Sequence, residues 1–294
     1  MPLKDLLLAL VVIVAWGLNF VVIKVGLDSL PPMLLGGLRF VLVLFPAIFF
    51  IKRPQLPWRW LLAYGTTISL GQFAFLFEAM GNGMPPGLAS LVLQSQAFFT
   101  LFFAAMFLGE RLRAASLLGL LVAAGGLALI GSENGSHVPF LALLLTLCAA
   151  ACWAMGNIIT RRFGNIDLVA LVIWGALIPP LPFFALSWWL EGPALIESSL
   201  RGIGLNSILA LAYLAFIATM LGYSLWSGLL SRYPAGKVAP FSLLVPVVGL
   251  SSSALLLGER LSTLQCWGGV LVMVGLLINV FGSRLRQRLR AALS

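Results

Sequence analysis

Apolar residues run along this chain in long blocks, and polar residues are mostly confined to the short gaps between them. Ten blocks stand out, at roughly 6–26, 31–51, 60–80, 86–108, 114–131, 138–160, 168–190, 207–229, 237–257 and 264–282. Each falls within the roughly 17–25 residues that a helix needs to cross the hydrocarbon of a bilayer. The pattern predicts an all-α polytopic membrane protein, with gaps too short to hold a soluble domain. The first block follows Lys4, lacks a small-residue cleavage site and runs into Trp16 and Asn19. It reads as a retained helix and not as a signal peptide.

The blocks repeat. Leu108-Gly109-Glu110-Arg111-Leu112 returns 149 positions later as Leu257-Gly258-Glu259-Arg260-Leu261. At the same offset Leu62-Ala63-Tyr64 returns as Leu211-Ala212-Tyr213, Pro85 and Gly87 as Pro234 and Gly236, and Gly119 and Gly126 as Gly268 and Gly275. Trp16 and Asn19 are matched more loosely by Trp153 and Asn157. The offset is five helices, an odd number, so the halves are expected to cross the membrane in opposite directions. The division is a first five-helix repeat over 1–131, an external linker over 132–137, a second repeat over 138–282 and a basic tail over 283–294. The repeated pentapeptide reads as a helix–helix turn closed by Gly109 and Gly258, with gating as its alternative role. Gly119, Gly125, Gly126, Gly268, Gly269 and Gly275 permit close backbone approach, which suits either internal support or a homodimer contact.

Charge changes the picture only in orientation. With both termini inside, Lys52, Arg53, Arg111, Arg113, Arg161, Arg162 and the tail arginines face the cytoplasm, while only Lys24, Arg201 and Arg260 lie outside. This is the positive-inside bias. It accounts for the net charge of +9 without a nucleic-acid partner. The tail's arginines, interleaved with apolar residues, suit contact with lipid headgroups. At 61% hydrophobic and 9% charged the chain is far from a soluble domain, where about a quarter of residues are charged.

Polar groups inside a membrane are costly unless they face protein or water, so each is a candidate. Trp16 and Asn19 share one face of the first helix, and Trp153 and Asn157 share one face of the sixth. Thr219, Tyr223 and Trp226 form a stripe on the eighth. Together they are expected to line one central cavity, against the alternative of interhelical packing. Gln94 and Gln96 are about 200° apart on a helix, so one is expected to line the pathway and the other to bond a neighbouring helix. Arg39 reads either as a partner for a substrate carboxylate or as a pin between helices. Glu78 reads either as a proton-coupling acid or as a residue at the water interface. Pro240 and Pro246 on the ninth helix, and Pro179, Pro180 and Pro182 on the seventh, interrupt those helices, and the fourth has no matching proline.

Enzyme and pump signatures are missing. One His, His137, on a loop with Glu133 and Asn134 makes neither a triad nor a zinc cage. Cys148 and Cys152 are four apart and read as packing residues, and no phosphate-binding loop with the G-x-x-x-x-G-K-[ST] pattern exists. A passive channel is the remaining rival of a different class.

Trp16-Gly17-Leu18-Asn19-Phe20, Leu38-Arg39-Phe40 and the twin Leu-Gly-Glu-Arg turns resemble the EamA family of the drug/metabolite transporter superfamily, over essentially the whole chain. The stretches 16–26, 87–94 and 242–250 further resemble that family's bacterial exporter of cysteine and O-acetylserine. The resemblance implies a bacterial inner-membrane exporter with two inverted five-helix repeats around a central cavity. It implies small zwitterionic substrates and no cofactor. Aromatic amino acids and purine-like metabolites remain alternatives. No binding residue is carried over from the family.

Overall fold

The computed structural model describes residues 1–112, 114–132, 138–163 and 166–293; the side chains at 235, 236 and 283–293 are not described. Glu133, Asn134, His137, Arg113 and the side chains of the basic tail therefore lie outside the described residues. Among the described residues ten helices are long and apolar enough to span a membrane: α1 Leu3–Leu27, α2 Pro32–Phe49, α3 Trp58–Gly81, α4 Pro86–Leu108, α5 Ala114–Gly131, α6 Phe140–Phe163, α7 Leu168–Glu191, α8 Leu205–Arg232, α9 Ala239–Leu257 and α10 Thr263–Gly282. Their starts follow helix chemistry. Pro32 and Pro86 sit in the first turns of α2 and α4, where no backbone donor is needed. The Asp167 carboxylate caps α7 by accepting from the backbone N–H of Val169 at 2.9 Å and of Ala170 at 3.2 Å.

The pairings of helices recur five helices on. α1 packs on α8 and α9 and α6 packs on α3 and α4, while α2 meets α7, α4 meets α9 and α5 meets α10. Local geometry recurs as well. Gly109 and Gly258 close α4 and α9 in the left-handed conformation, at φ 67 and φ 66. At each turn the Gly and Glu N–H groups reach back to one carbonyl, Ala104 in α4 and Ser253 in α9. A side chain at either Gly would be strained in that backbone conformation.

Helices α3, α4, α8 and α9 depart from regular geometry in two ways, and of the four stretches concerned only the break in α9, at Pro240 and Pro246, was expected. α3 widens to a π-helical stretch over Gly65–Gly71, and α8 does so over Tyr213–Leu221. α4 and α9 tighten to 3-10 turns over Leu93–Ser95 and Ala239–Leu244. These positions correspond at the repeat offset, so α4 is interrupted opposite the break in α9 although it has no matching proline. The two irregular stretches meet across the interface. Pro246 has no N–H to offer the Ser242 carbonyl four residues back, and that oxygen accepts instead from Gln94 Nε2 at 3.0 Å and from the Val245 N–H. The break in α9 and the turn in α4 are thus bonded to each other.

The glycines of α5 and α10 meet each other. A Cβ on Gly119 would stand 2.5 Å from the Gly275 carbonyl oxygen, and one on Gly275 would stand 2.5 Å from that of Gly119. Gly126 and Gly268 oppose each other in the same way, at 2.5 and 2.7 Å. Their role within the chain is close packing of α5 on α10. At one end of the bundle the buried Asp5 of α1 accepts from Arg232 Nη1 at 2.7 Å and from the Tyr233 hydroxyl at 2.5 Å. That bond to the carboxylate raises the Tyr233 phenol above its ordinary range, so it stays a donor. Gly275→Ala and Gly126→Ala are expected to destabilise the protein by about 1–3 kcal/mol through overpacking against backbone. Gly125→Ala, which meets open space, is expected to stay within about 0.5 kcal/mol. Thermal unfolding in detergent gives the comparison.

Candidate functional site

Between the helix pairs lies a cavity of about 470 Å³, within the range typical of small-molecule sites. Trp16, Asn19, Arg39, Gln94, Gln96, Trp153, Asn157, Tyr223 and Trp226 all line it. At one end it reaches the exposed Arg161, with Thr160, Leu168, Leu230 and Ala239 around it. This is the end where α6 and α8 finish and α7 and α9 begin. Toward the other end its walls close in on Phe20, Phe73 and Leu76.

Two groups of side chains organise the lining. Trp16 of α1 lies 5.4 Å from Tyr223 and 5.3 Å from Trp226 of α8, ring centre to ring centre. Its Nε1 donates to the Ala218 carbonyl at 2.9 Å, inside the π-helical stretch. That nitrogen stands 2.5 Å from where a Cβ on Gly222 would sit, so Gly222 is what admits the indole. Opposite, Asn157 Nδ2 donates to Gln96 Oε1 at 2.9 Å and to Thr100 Oγ1 at 3.2 Å. One wall is aromatic and the other is an amide–hydroxyl network.

Both glutamines line the cavity and both bond a neighbouring helix, Gln94 to α9 and Gln96 to α6. The expected division of labour between them is corrected. A 3-10 turn advances three residues per revolution, which brings the two side chains from about 160° to about 120° apart on the shorter arc.

Thr219 is a second correction. It does not line this cavity; it borders a smaller one of about 270 Å³ with Met220 and Ser224. Its hydroxyl donates to the Leu214 carbonyl at 2.8 Å and accepts from Arg39 Nη2 at 3.0 Å. The expected stripe assumed 3.6 residues per turn; in the wide turns of α8 Thr219 shares the smaller cavity with Tyr223, which borders both, while Trp226 lines only the larger of the two. Glu78 also stands apart from the cavity, half-buried near the end of α3, where its carboxylate accepts from Asn82 Nδ2 at 2.8 Å. Arg39 is 2% exposed, and the Phe73 ring lies 4.0 Å from its guanidinium carbon.

Sequence reasoning missed Tyr64, Gln72, Thr100, Thr160 and Arg161, which also line the cavity. Signals existed for some: Gln72 is an amide inside a span, and Thr100 lies one turn after Gln96. It also missed two carboxylates that hold helix starts and a third that pairs with an arginine. Glu191 accepts from the Met33 and Leu34 N–H groups at the start of α2, at 2.5 and 3.1 Å. Glu259 accepts from the Gly87 N–H at the start of α4, at 2.9 Å. Its repeat counterpart, Glu110, accepts from Arg161 Nη2 at 2.7 Å. Cys148 and Cys152 are free. Among the described residues no three metal-ligating side chains gather.

The EamA-like transporter family matches residues 3–132 and again 140–281. The chain is 55% identical to a probable amino-acid metabolite efflux pump of Escherichia coli, covering 99% of each, and 54% identical to one of Salmonella typhimurium, covering 99% of this chain and 100% of that one. It is 29% identical to an uncharacterized transporter of Archaeoglobus fulgidus, over 94% of this chain and 98% of that protein. One crystal structure superposes with a TM-score of 0.64 at 22% identity, over 97% of this chain and 98% of the other, and shares the fold. With a lined cavity among ten spanning helices and these matches over both halves, the chain belongs to the EamA-like transporter family and is a transporter, not an enzyme.

Proposed function

We propose that this protein is an inner-membrane exporter of small zwitterionic metabolites, with cysteine and O-acetylserine foremost, working by alternating access between two inverted five-helix repeats. The observation that carries this reading is a cavity reaching one end of the bundle and closed at the other. The relatives named as probable amino-acid metabolite efflux pumps support the substrate class. The open end carries Arg161 and Arg162, and the positive-inside rule assigns such an end to the cytoplasm. Both termini are then cytoplasmic, and the cavity is in the state that loads an export substrate.

The lining suits a zwitterion. Amides, hydroxyls and aromatic faces surround it, and Arg39 is its one deep charge. A phosphorylated metabolite would bring two negative charges to a single cation. The Trp16, Tyr223 and Trp226 cluster supports a second reading in which aromatic amino acids share the pathway.

The repeated pentapeptides supply the alternation. At the closed end Glu259 clamps the first turn of α4 through the Gly87 N–H. The equivalent position for Glu110 is the Gly236 N–H ahead of α9. At the open end Glu110 pairs with Arg161 instead, across exposed side chains. In the opposite state the roles exchange: Glu110 moves onto the start of α9 and Glu259 leaves α4. A passive channel has no use for such an exchange.

Two measurements test this reading. Proteoliposomes loaded with L-cysteine or O-acetyl-L-serine should exchange them for external labelled amino acid and ignore sugar phosphates; exchange of sugar phosphates alone would overturn the substrate class. Spin-label distances between the ends of α4 and α9 should report the clamp. A bond to a charged group contributes about 1.5–3 kcal/mol, so Glu259→Ala should move the population toward the state open at the far end by roughly tenfold or more. Glu110→Ala should move it the other way. Shifts in the same direction for both would sink the exchange.

A further inference from the structure

We infer that Arg39, Asn19 and Gln72 form the subsite for the charged head of an α-amino acid: Arg39 takes the α-carboxylate, and the two amide oxygens take the α-ammonium. This rests on the amino-acid reading above and assigns its recognition to particular atoms.

The three residues come from consecutive helices and lie at one depth. Asn19 is eight residues from the end of α1, Arg39 seven from the start of α2 and Gln72 nine from the end of α3. At 1.5 Å per residue each is about 10–14 Å in from the closed end. All three line the cavity, at 8, 2 and 3% exposure. Each holds buried polar atoms with no hydrogen-bond partner: Nε and Nη1 of Arg39, Oδ1 of Asn19 and Oε1 of Gln72. Donors and acceptors of this kind are unfavourable when left unpaired inside a protein.

Their chemistry is complementary to one ligand. Arg39 is a buried cation with no ion pair among the described residues, whose four salt bridges lie elsewhere. Its Nη2 is tied to Thr219 Oγ1, and Thr219 is tied in turn to the Leu214 carbonyl, which fixes the guanidinium. The remaining hydrogen on Nη2, with Nε–H or Nη1–H, makes a two-point fork that matches a carboxylate. The amide oxygens accept from an ammonium without adding net charge. A ligand bearing both groups satisfies the two amide oxygens and one of the two unpaired guanidinium nitrogens, and brings one negative charge to Arg39. The Phe73 ring lies over the guanidinium, its centre 4.0 Å from the guanidinium carbon, and turning that ring admits the carboxylate. The rest of the ligand then faces Trp153, Ile68 and Tyr64, a wall with no counterpart to a particular side chain. Selection therefore falls on the head of the amino acid and not on its tail.

The test is competition on the wild-type protein in proteoliposomes, with exchange of labelled L-cysteine under reducing conditions as readout. S-methyl-L-cysteine keeps the head and changes the tail, and should compete within roughly threefold. Cysteamine lacks the carboxylate and N-acetyl-L-cysteine lacks the ammonium. Each should compete at least roughly a hundredfold more weakly, as at sites built to hydrogen-bond a group the analogue lacks. Equal competition by either would overturn the subsite while leaving amino-acid transport standing. Failure of every amino acid to exchange would overturn both, a distinct result. In Arg39→Gln the preference for cysteine over cysteamine should collapse, and Arg39→Lys should restore part of it. A purely structural Arg39 would lower the rates for both compounds and leave their ratio unchanged.

Discussion

Hydrocarbon offers no hydrogen bonds, and the structure depends on that constraint more than on any single contact. A regular helix meets it by pairing every interior carbonyl with an N–H four residues on. Wherever this chain leaves the regular helix, a carbonyl is released and must find a donor. Those released oxygens hold the functional side chains. Trp16 is anchored by the Ala218 oxygen in a wide turn of α8. Gln94 is anchored by the Ser242 oxygen that Pro246 leaves free. Thr219 gives its proton to Leu214 and so keeps a lone pair for Arg39. The irregular turns of α8 and α9 supply the oxygens that hold Trp16, Gln94 and, through Thr219, Arg39 in place.

The legibility of the chain divides along the same line. Span length and apolar content report the distance across a bilayer, so the ten helices could be read from residues alone. The interior faces of Trp16 with Asn19, and of Trp153 with Asn157, were also legible, because α1 and α6 are unbroken and keep the 3.6-residue period through the positions concerned. Prediction failed where that period fails. Thr219 sits inside a π-helical stretch, and Gln94 inside a 3-10 turn. Neither turn has a local signature: nothing in Leu93-Gln94-Ser95 forbids a regular helix, and the turn's partner, the Ser242 carbonyl, is on another helix. Glu191 and Glu259 were missed as helix clamps for a related reason. A carboxylate at a span's end looks like a residue in water until the structure shows which distant N–H groups it caps.

The repeats differ in use even where they agree in position. Asn157 donates to Gln96 and Thr100 in an amide–hydroxyl network, whereas the Oδ1 of its counterpart Asn19 is buried with no partner. Likewise Tyr213 donates to the Ala15 carbonyl at 2.9 Å, while Tyr64 at the related position lines the cavity. Under the proposed inverted repeats, repeat-related residues stand at opposite ends of the bundle and so meet different surroundings.

The contact between α5 and α10 carries a mechanical consequence. Side chains can change rotamer and let helices slide, but Gly119, Gly126, Gly268 and Gly275 bring backbone against backbone, with no rotamers to spend. Gly119 on one helix faces Gly275 on the other and Gly126 faces Gly268, so the contact looks the same from either side. In the alternating-access cycle proposed above, that pair is the natural fulcrum, the remaining helices are the lever arms, and a rocking motion about it favours neither direction.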